Sequence, residues 1–149
     1  MLYNRPNIFF KKYSGWAPLF IRLIVGFHLI YGVTDNILSN ARMTEFSEFL
    51  NDHRVIYPTV AAYLSVYAQF IAGISFIIGY YIRTSAIIMI IHFSLALIIV
   101  HIGDNYTNLF PALFMLSSSF SLFFSGAGKL SIDPYRGRNF RRLKKRKPF

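Results

Sequence analysis

The chain has 149 residues, of which 54% are hydrophobic and only 15% charged, with 16 Lys+Arg against 6 Asp+Glu and a formal net charge of +10. Soluble domains carry about 25% charged residues, so the deficit argues against a water-soluble fold and points to the bilayer. There is no cysteine, which excludes disulfides, thiolate metal sites, iron–sulfur ligation and a dithiol relay within this polypeptide.

Residues 1–15 form a basic N-terminal segment with Arg5, Lys11 and Lys12. It precedes a full-length span and is followed by no small-residue cleavage site, so no cleaved signal peptide is expected. The first span is predicted over residues 16–34, WAPLFIRLIVGFHLIYGVT, with Pro18 near the helix start. Hydrophobic runs of about 20 residues are long enough to cross a bilayer as helices. Counting about 1.5 Å of rise per residue puts Arg22 about 8 Å inside the span and His28 near its middle. At that depth an arginine is too far in to snorkel freely and needs an anion or a wet cavity. The carboxylate of Asp133 and a lipid phosphate are the two candidates.

Residues 35–57 form the one sizeable connection between spans. Within it Phe46, Phe49, Leu50 and His53 follow i, i+3, i+4, i+7 spacing, which predicts a short amphipathic helix at the membrane interface. It would serve as a cap over the bundle, a substrate lid or a partner contact. The second span is predicted over residues 58–81. Gln69 lies near its middle and shares a stripe with Ala62, Ser65, Ala72 and Gly73. Small residues on such a stripe let membrane helices approach closely, so Gln69 should face a neighbouring helix.

A tight link leads to the third span, residues 84–103, so these two spans should be antiparallel neighbours. His92 falls slightly to the inner side of its middle. His101 is nine positions on, about half a turn away at roughly 100° per residue, and lies at the water interface. Asn105, Tyr106 and Thr107 match a glycosylation acceptor, which in a bacterial membrane reads as a helix-starting turn. The fourth span is predicted over residues 108–125 with Pro111 in its first turn. The polar run Ser117, Ser118, Ser119 and Ser121 crosses its middle.

The fourth span ends in FFSGAGKLSIDPYRG. A phosphate-binding P-loop needs four residues between its first glycine and the Gly-Lys-Ser/Thr, after a strand and before a helix. Here one residue separates Gly126 from Gly128, and Leu130 stands where Ser/Thr is required. The two glycines instead close the helix. Lys129 then meets the negative end of its dipole and the lipid phosphates, and Asp133 is left for Arg22.

The remaining segment, residues 134–149, is a basic tail with Arg136, Arg138, Arg141, Arg142, Lys144, Lys145, Arg146 and Lys147. Next to a transmembrane helix such a cluster reads first as an anchor for anionic lipid. An acidic protein partner is the next reading, and nucleic acid is not expected. Basic residues cluster before the first span, at Arg83, and after the fourth span, whereas Asp35, Glu45, Glu48, Asp52 and Asp104 lie in the other two connections. By the positive-inside rule both termini are cytoplasmic. The expected fold is therefore all-α: an integral membrane four-helix bundle spanning residues 16–133.

Depth counting brings His28, Gln69, His92, Ser117, Ser118 and Ser121 to one level. Interhelical hydrogen bonding alone explains such groups. Intramembrane ionisable groups also mark binding sites, here a pocket for a quinone headgroup or another lipid-like ligand. Bis-histidine haem ligation by His28 and His92 demands facing imidazoles at matched depth and is the least favoured reading. No metal site is expected.

Three stretches together resemble the DoxX family. FIRLIVGFHLIYG is similar to the family's opening, an Arg near the inner end followed by spaced glycines. VYAQFIAGISFIIGYYIRTSA is similar to its central signature, a polar residue followed by Gly73, Gly79, Arg83 and a small residue, Ala86. SGAGKLSID resembles the end of its fourth helix, with Ile132 in place of leucine. The resemblance covers residues 19–133 and implies a four-helix bacterial inner-membrane protein tied to redox systems. Some relatives are subunits of thiosulfate:quinone oxidoreductase, and others accompany thiol-redox or superoxide-handling proteins. Two positions depart from the pattern: Gln69 replaces the usual second-helix carboxylate, and Asp35 stands where a lysine is common. An amide hydrogen-bonds but is no general base. The expected role is thus a non-catalytic subunit or accessory of a larger assembly with membrane or periplasmic partners. A quinone-reducing oxidoreductase subunit and a purely structural docking protein are the alternatives.

Overall fold

The computed structural model describes residues 13–100, 102–128 and 130–132. A 3-10 turn, Ser14–Trp16, leads into α1 (Ala17–Leu38), followed by α2 (Asn40–Asp52), α3 (Pro58–Ile78), α4 (Ile82–Ile99) and α5 (Tyr106–Ser125). All but α2 are long and apolar enough to cross a membrane. Apolar run length fixes where each long helix lies, but backbone capping fixes where it ends. Thus α1 runs on through the polar residues Asp35 and Asn36 to Leu38, because Ser39 is the first residue to leave the helical region. In the other direction, α3 stops at Ile78, since Gly79 turns left-handed (φ 80°) with its N–H on the Ser75 carbonyl at 2.9 Å. Pro111 lies inside α5, which begins two residues earlier than the apolar run suggests.

The amphipathic helix predicted in the first connection is α2. Extended Ser39 is its N-cap, its hydroxyl accepting from the Arg42 N–H at 3.5 Å. Arg54, at φ 58°, ends it: its N–H donates to Asn51 O and the Val55 N–H to Leu50 O. That pair of bonds is the Schellman closure, made here by a non-glycine residue. Met43 and Leu50 are buried beneath α2, and the Ser47 and Thr59 hydroxyls meet at 3.0 Å to tie it to the start of α3.

The long helices close a ring in chain order: α1 packs most extensively on α3 and α4 on α5, while α3–α4 and α1–α5 contacts complete it. The first pair crosses backbone to backbone. A Cβ added to Gly26 would lie 2.8 Å from the Gly73 carbonyl oxygen, and one added to Gly73 would lie 2.8 Å from that of Gly26. Glycine at both positions permits this approach, and dispersion then holds the pair together.

Two buried clusters fill the bundle. One, with Val25, Leu29, Phe76, Ile82, Met89 and Leu122, joins all four long helices. The other, with Val33, Met43, Leu50, Ala62 and Val66, joins α2 to the adjoining ends of α1 and α3. Only 28% to 33% of an apolar 18-residue stretch in each long helix is buried inside the protein. Side chains such as Phe20, Phe27, Ile71, Ile98 and Phe124 project outward. A surface this apolar is suited to lipid rather than water.

Candidate functional site

Two groups of polar side chains stand out, at opposite ends of the bundle. The first is built on Arg22, which is 0% exposed. Its Nε donates to the Phe76 carbonyl at 2.8 Å, and Nη2 to Ile77 at 3.1 Å. Its Nη1 donates to Ala127 at 2.6 Å and, more distantly, to Leu130 at 3.5 Å. Phe76 and Ile77 belong to the last turn of α3, whose carbonyls have no partner within the helix. Arg22 caps them from the neighbouring helix, and its charge faces the negative end of the α3 dipole.

The glycine-rich stretch after α5 makes this possible. Gly126 and Gly128 take φ 69° and 66°, folding the chain back beneath the bundle. A Cβ on Gly128 would come within 2.8 Å of the Gly15 carbonyl oxygen. At Gly79 a side chain would run into the Arg22 guanidinium. The described partners of Arg22 are therefore backbone carbonyls. Asp133, Lys129 and all the basic positions of the tail lie outside the described residues.

The second group lines a cavity of about 570 Å³ near the α2 end. All five helices contribute. From α1 come His28, Leu29 and Gly32; from α3, Leu64, Ser65, Ala68 and Gln69; from α4, Ile88, Ile91, His92, Leu95 and Ala96 among others; from α5, Pro111, Ala112 and Met115. The α2 residues Phe46, Phe49 and Leu50 cover one end. The periodicity that predicted α2 thus places those three over the cavity. His53 instead folds back on its own helix, Nδ1 2.8 Å from the Phe49 carbonyl.

Within this apolar wall the polar side chains are His28, Ser65, Gln69 and His92. The Gln69 amide donates to the Ser65 hydroxyl at 3.3 Å, and His92 meets the Phe93 ring edge-on at 4.9 Å. His28 is exposed on α1, while Gln69 and His92 are half-buried. Ser65 was legible only as a member of the Gln69 stripe, one turn before it.

The serines of α5 do not join this site. Ser117, Ser118 and Ser121 are absent from the lining. Ser117 is exposed and bonds to the Leu113 carbonyl of its own helix at 2.7 Å. Ser118 is buried away from the cavity, and Ser121 is exposed. Serines return their hydroxyl to the preceding turn when no other partner faces them. Among the described residues no cluster of three or more His, Cys, Asp or Glu could hold a metal ion.

Residues 17–102, more than half of the chain, match the DoxX family model. The chain belongs to the DoxX family. Family membership and the four membrane-length helices together make it a multi-pass membrane protein. The DoxX match covers α1 to α4 and so includes His28, Gln69 and His92 as well as Arg22. The closing SGAGKLSID stretch lies beyond it. No curated protein and no solved structure matches this DoxX chain.

Proposed function

We propose that this DoxX-family protein is a non-catalytic subunit or accessory of a larger membrane assembly, and that its cavity holds a quinone or lipid-like molecule. The observation that supports this reading is the 570 Å³ space, lined by apolar side chains and four polar ones, His28, Ser65, Gln69 and His92, from α1, α3 and α4. Ligand cavities combine this order of volume, roughly 300–1,000 Å³, with apolar walls and a few convergent polar groups. His28, Gln69 and His92 would hold the oxygen atoms of a headgroup, and the aliphatic walls would hold its chain. A bound quinone would supply redox chemistry that the side chains lack. Haem is the less favoured occupant, since His28 is exposed and bis-histidine ligation demands two facing imidazoles.

A second reading, the membrane subunit of a quinone-reducing oxidoreductase, is supported by the two imidazoles in one cavity. Imidazole both accepts and donates protons near neutral pH. A purely structural docking role draws on the outward aromatic side chains and requires no occupant.

The charge pattern supports placement in a bacterial inner membrane with both termini cytoplasmic. The basic tail would then lie against anionic lipid, and Asp133 would stand near Arg22, three residues beyond its acceptor Leu130. Reporter fusions at each terminus test the orientation.

The occupant is tested by purifying the protein in mild detergent, extracting bound small molecules and recording an absorption spectrum. Quinone or lipid retained by the native chain and lost from folded His92→Leu and Gln69→Leu variants is the expected result. A Soret band would replace quinone with haem. An empty cavity together with a stoichiometric protein partner would leave the docking role.

A further inference from the structure

Among the described residues, the cavity lining holds no lysine, arginine, aspartate or glutamate. The described arginines all lie outside that lining, Arg54 being exposed at the end of α2. Arg22 spends its N–H groups on four carbonyls, Arg42 pairs with Glu45 at 2.8 Å on the surface of α2, and Arg83 lies beside Gly126 at the opposite end. What faces the cavity is an amide, a hydroxyl and two imidazoles, none of them a fixed charge. An ion placed among apolar walls without a counter-ion is costly, whereas a carbonyl or hydroxyl needs only one or two hydrogen bonds. The Gln69 amide offers a second N–H beyond the one given to Ser65, and each neutral imidazole offers one more donor.

The way in is lateral. Leu64, Ile88, Ile91 and Leu95 belong to the lining and are also exposed on the apolar surface, at 70%, 46%, 56% and 51%. An added Cβ on the α1 lining residue Gly32 would meet nothing within 4 Å. The cavity therefore opens sideways onto the lipid-facing surface, while α2 covers its end.

From these two features we infer that the site selects an uncharged membrane amphiphile. Its hydrogen-bonding head sits among His28, Gln69 and His92, its hydrocarbon chain leaves between helices into the bilayer, and anionic phospholipids are turned away. This rests on the proposed binding role of the cavity and adds the rule by which its occupant is chosen. The shared chemistry is a carbonyl or hydroxyl head on a long apolar chain, which quinones and acylglycerols both provide.

The test compares the native chain with an Ala68→Phe variant that fills the cavity, each in neutral detergent micelles. Melting temperature is followed while decylubiquinone, dioleoylglycerol or dioleoylphosphatidylglycerol is titrated. A ligand that binds only the folded state raises the melting temperature, and only the part of the rise that the filled variant loses reports the cavity. The expected result is a rise of this kind with decylubiquinone, dioleoylglycerol or both, at concentrations about tenfold or more below any needed with the phosphatidylglycerol. Which neutral probe acts tells the quinone source from the acylglycerol source. A cavity-dependent rise with phosphatidylglycerol at similar concentration overturns the charge rule and leaves the binding role standing. No cavity-dependent rise with any of the three overturns both.

Discussion

At one end of the bundle Arg22 gives its N–H groups to four carbonyls from two separate segments. At the other end Gln69 has one side-chain bond, at 3.3 Å, and His92 leans on a phenyl ring. Both ends put polar groups in an apolar surrounding, where an unmet donor is costly. The Arg22 end meets much of that cost with backbone carbonyls, which accept from Nε, Nη1 and Nη2 alike. The cavity end leaves donor capacity unused beside empty space. An arginine in a membrane helix draws attention first, yet here the more modest amide and imidazoles are the better candidates for binding.

Substitutions can break this contrast, and the largest effect is expected at Arg22. Arg22→Met strands the Phe76 and Ile77 carbonyls and releases the segment after α5, and should cost more than about 3 kcal/mol in reversible unfolding from mixed micelles. Arg22→Lys keeps the charge without the planar fork and should recover only part of that loss. Next comes the helix crossing. Gly26→Val pushes a side chain into the Gly73 carbonyl and should cost about 1–3 kcal/mol in the same assay. A Gly26→Val protein of native stability would mean that α1 and α3 do not meet there. Asp133→Asn sharpens the account of the Arg22 end. If the carboxylate supplements the four carbonyls, its loss should cost about 1 kcal/mol, the scale of an ion pair partly reached by solvent. An unaltered midpoint would sink the pairing. The smallest change in stability should come from Gln69→Leu, which removes a single weak bond one turn apart within α3, worth about 0.2–0.5 kcal/mol. That variant should nevertheless lose the small molecule that co-purifies with the native chain, measured by mass spectrometry of the solvent extract. Stability and ligand retention thus separate at the two ends.

The sequence made the long helices visible through the length of their apolar runs, and it placed α2 through a four-residue pattern. It missed helix ends where capping overrode hydropathy, as at Leu38 and Gly79. Depth along a helix could also be counted, which brought His28, Gln69 and His92 together. Direction around the helix was harder. Three consecutive serines, Ser117 to Ser119, sweep roughly 200° of a helix at about 100° each, so a shared depth could not make them share a cavity. The carbonyl partners of Arg22 were hidden for a different reason. A search for its counter-charge looks for Asp or Glu, but every residue carries a carbonyl, and nothing in the residue types marks Phe76, Ile77, Ala127 and Leu130 as acceptors.

The Arg22 bonds also impose an order on biosynthesis. Two acceptors lie 54 and 55 residues further along the chain, and the other two 105 and 108. None of these four acceptors has been made when the first helix emerges. Two of them arrive with the second span, and the set of four is complete only once the chain has emerged past the fourth. Until then the guanidinium lacks the contacts that tie the chain after the fourth span to the second, a mark by which an unfinished bundle differs from a finished one.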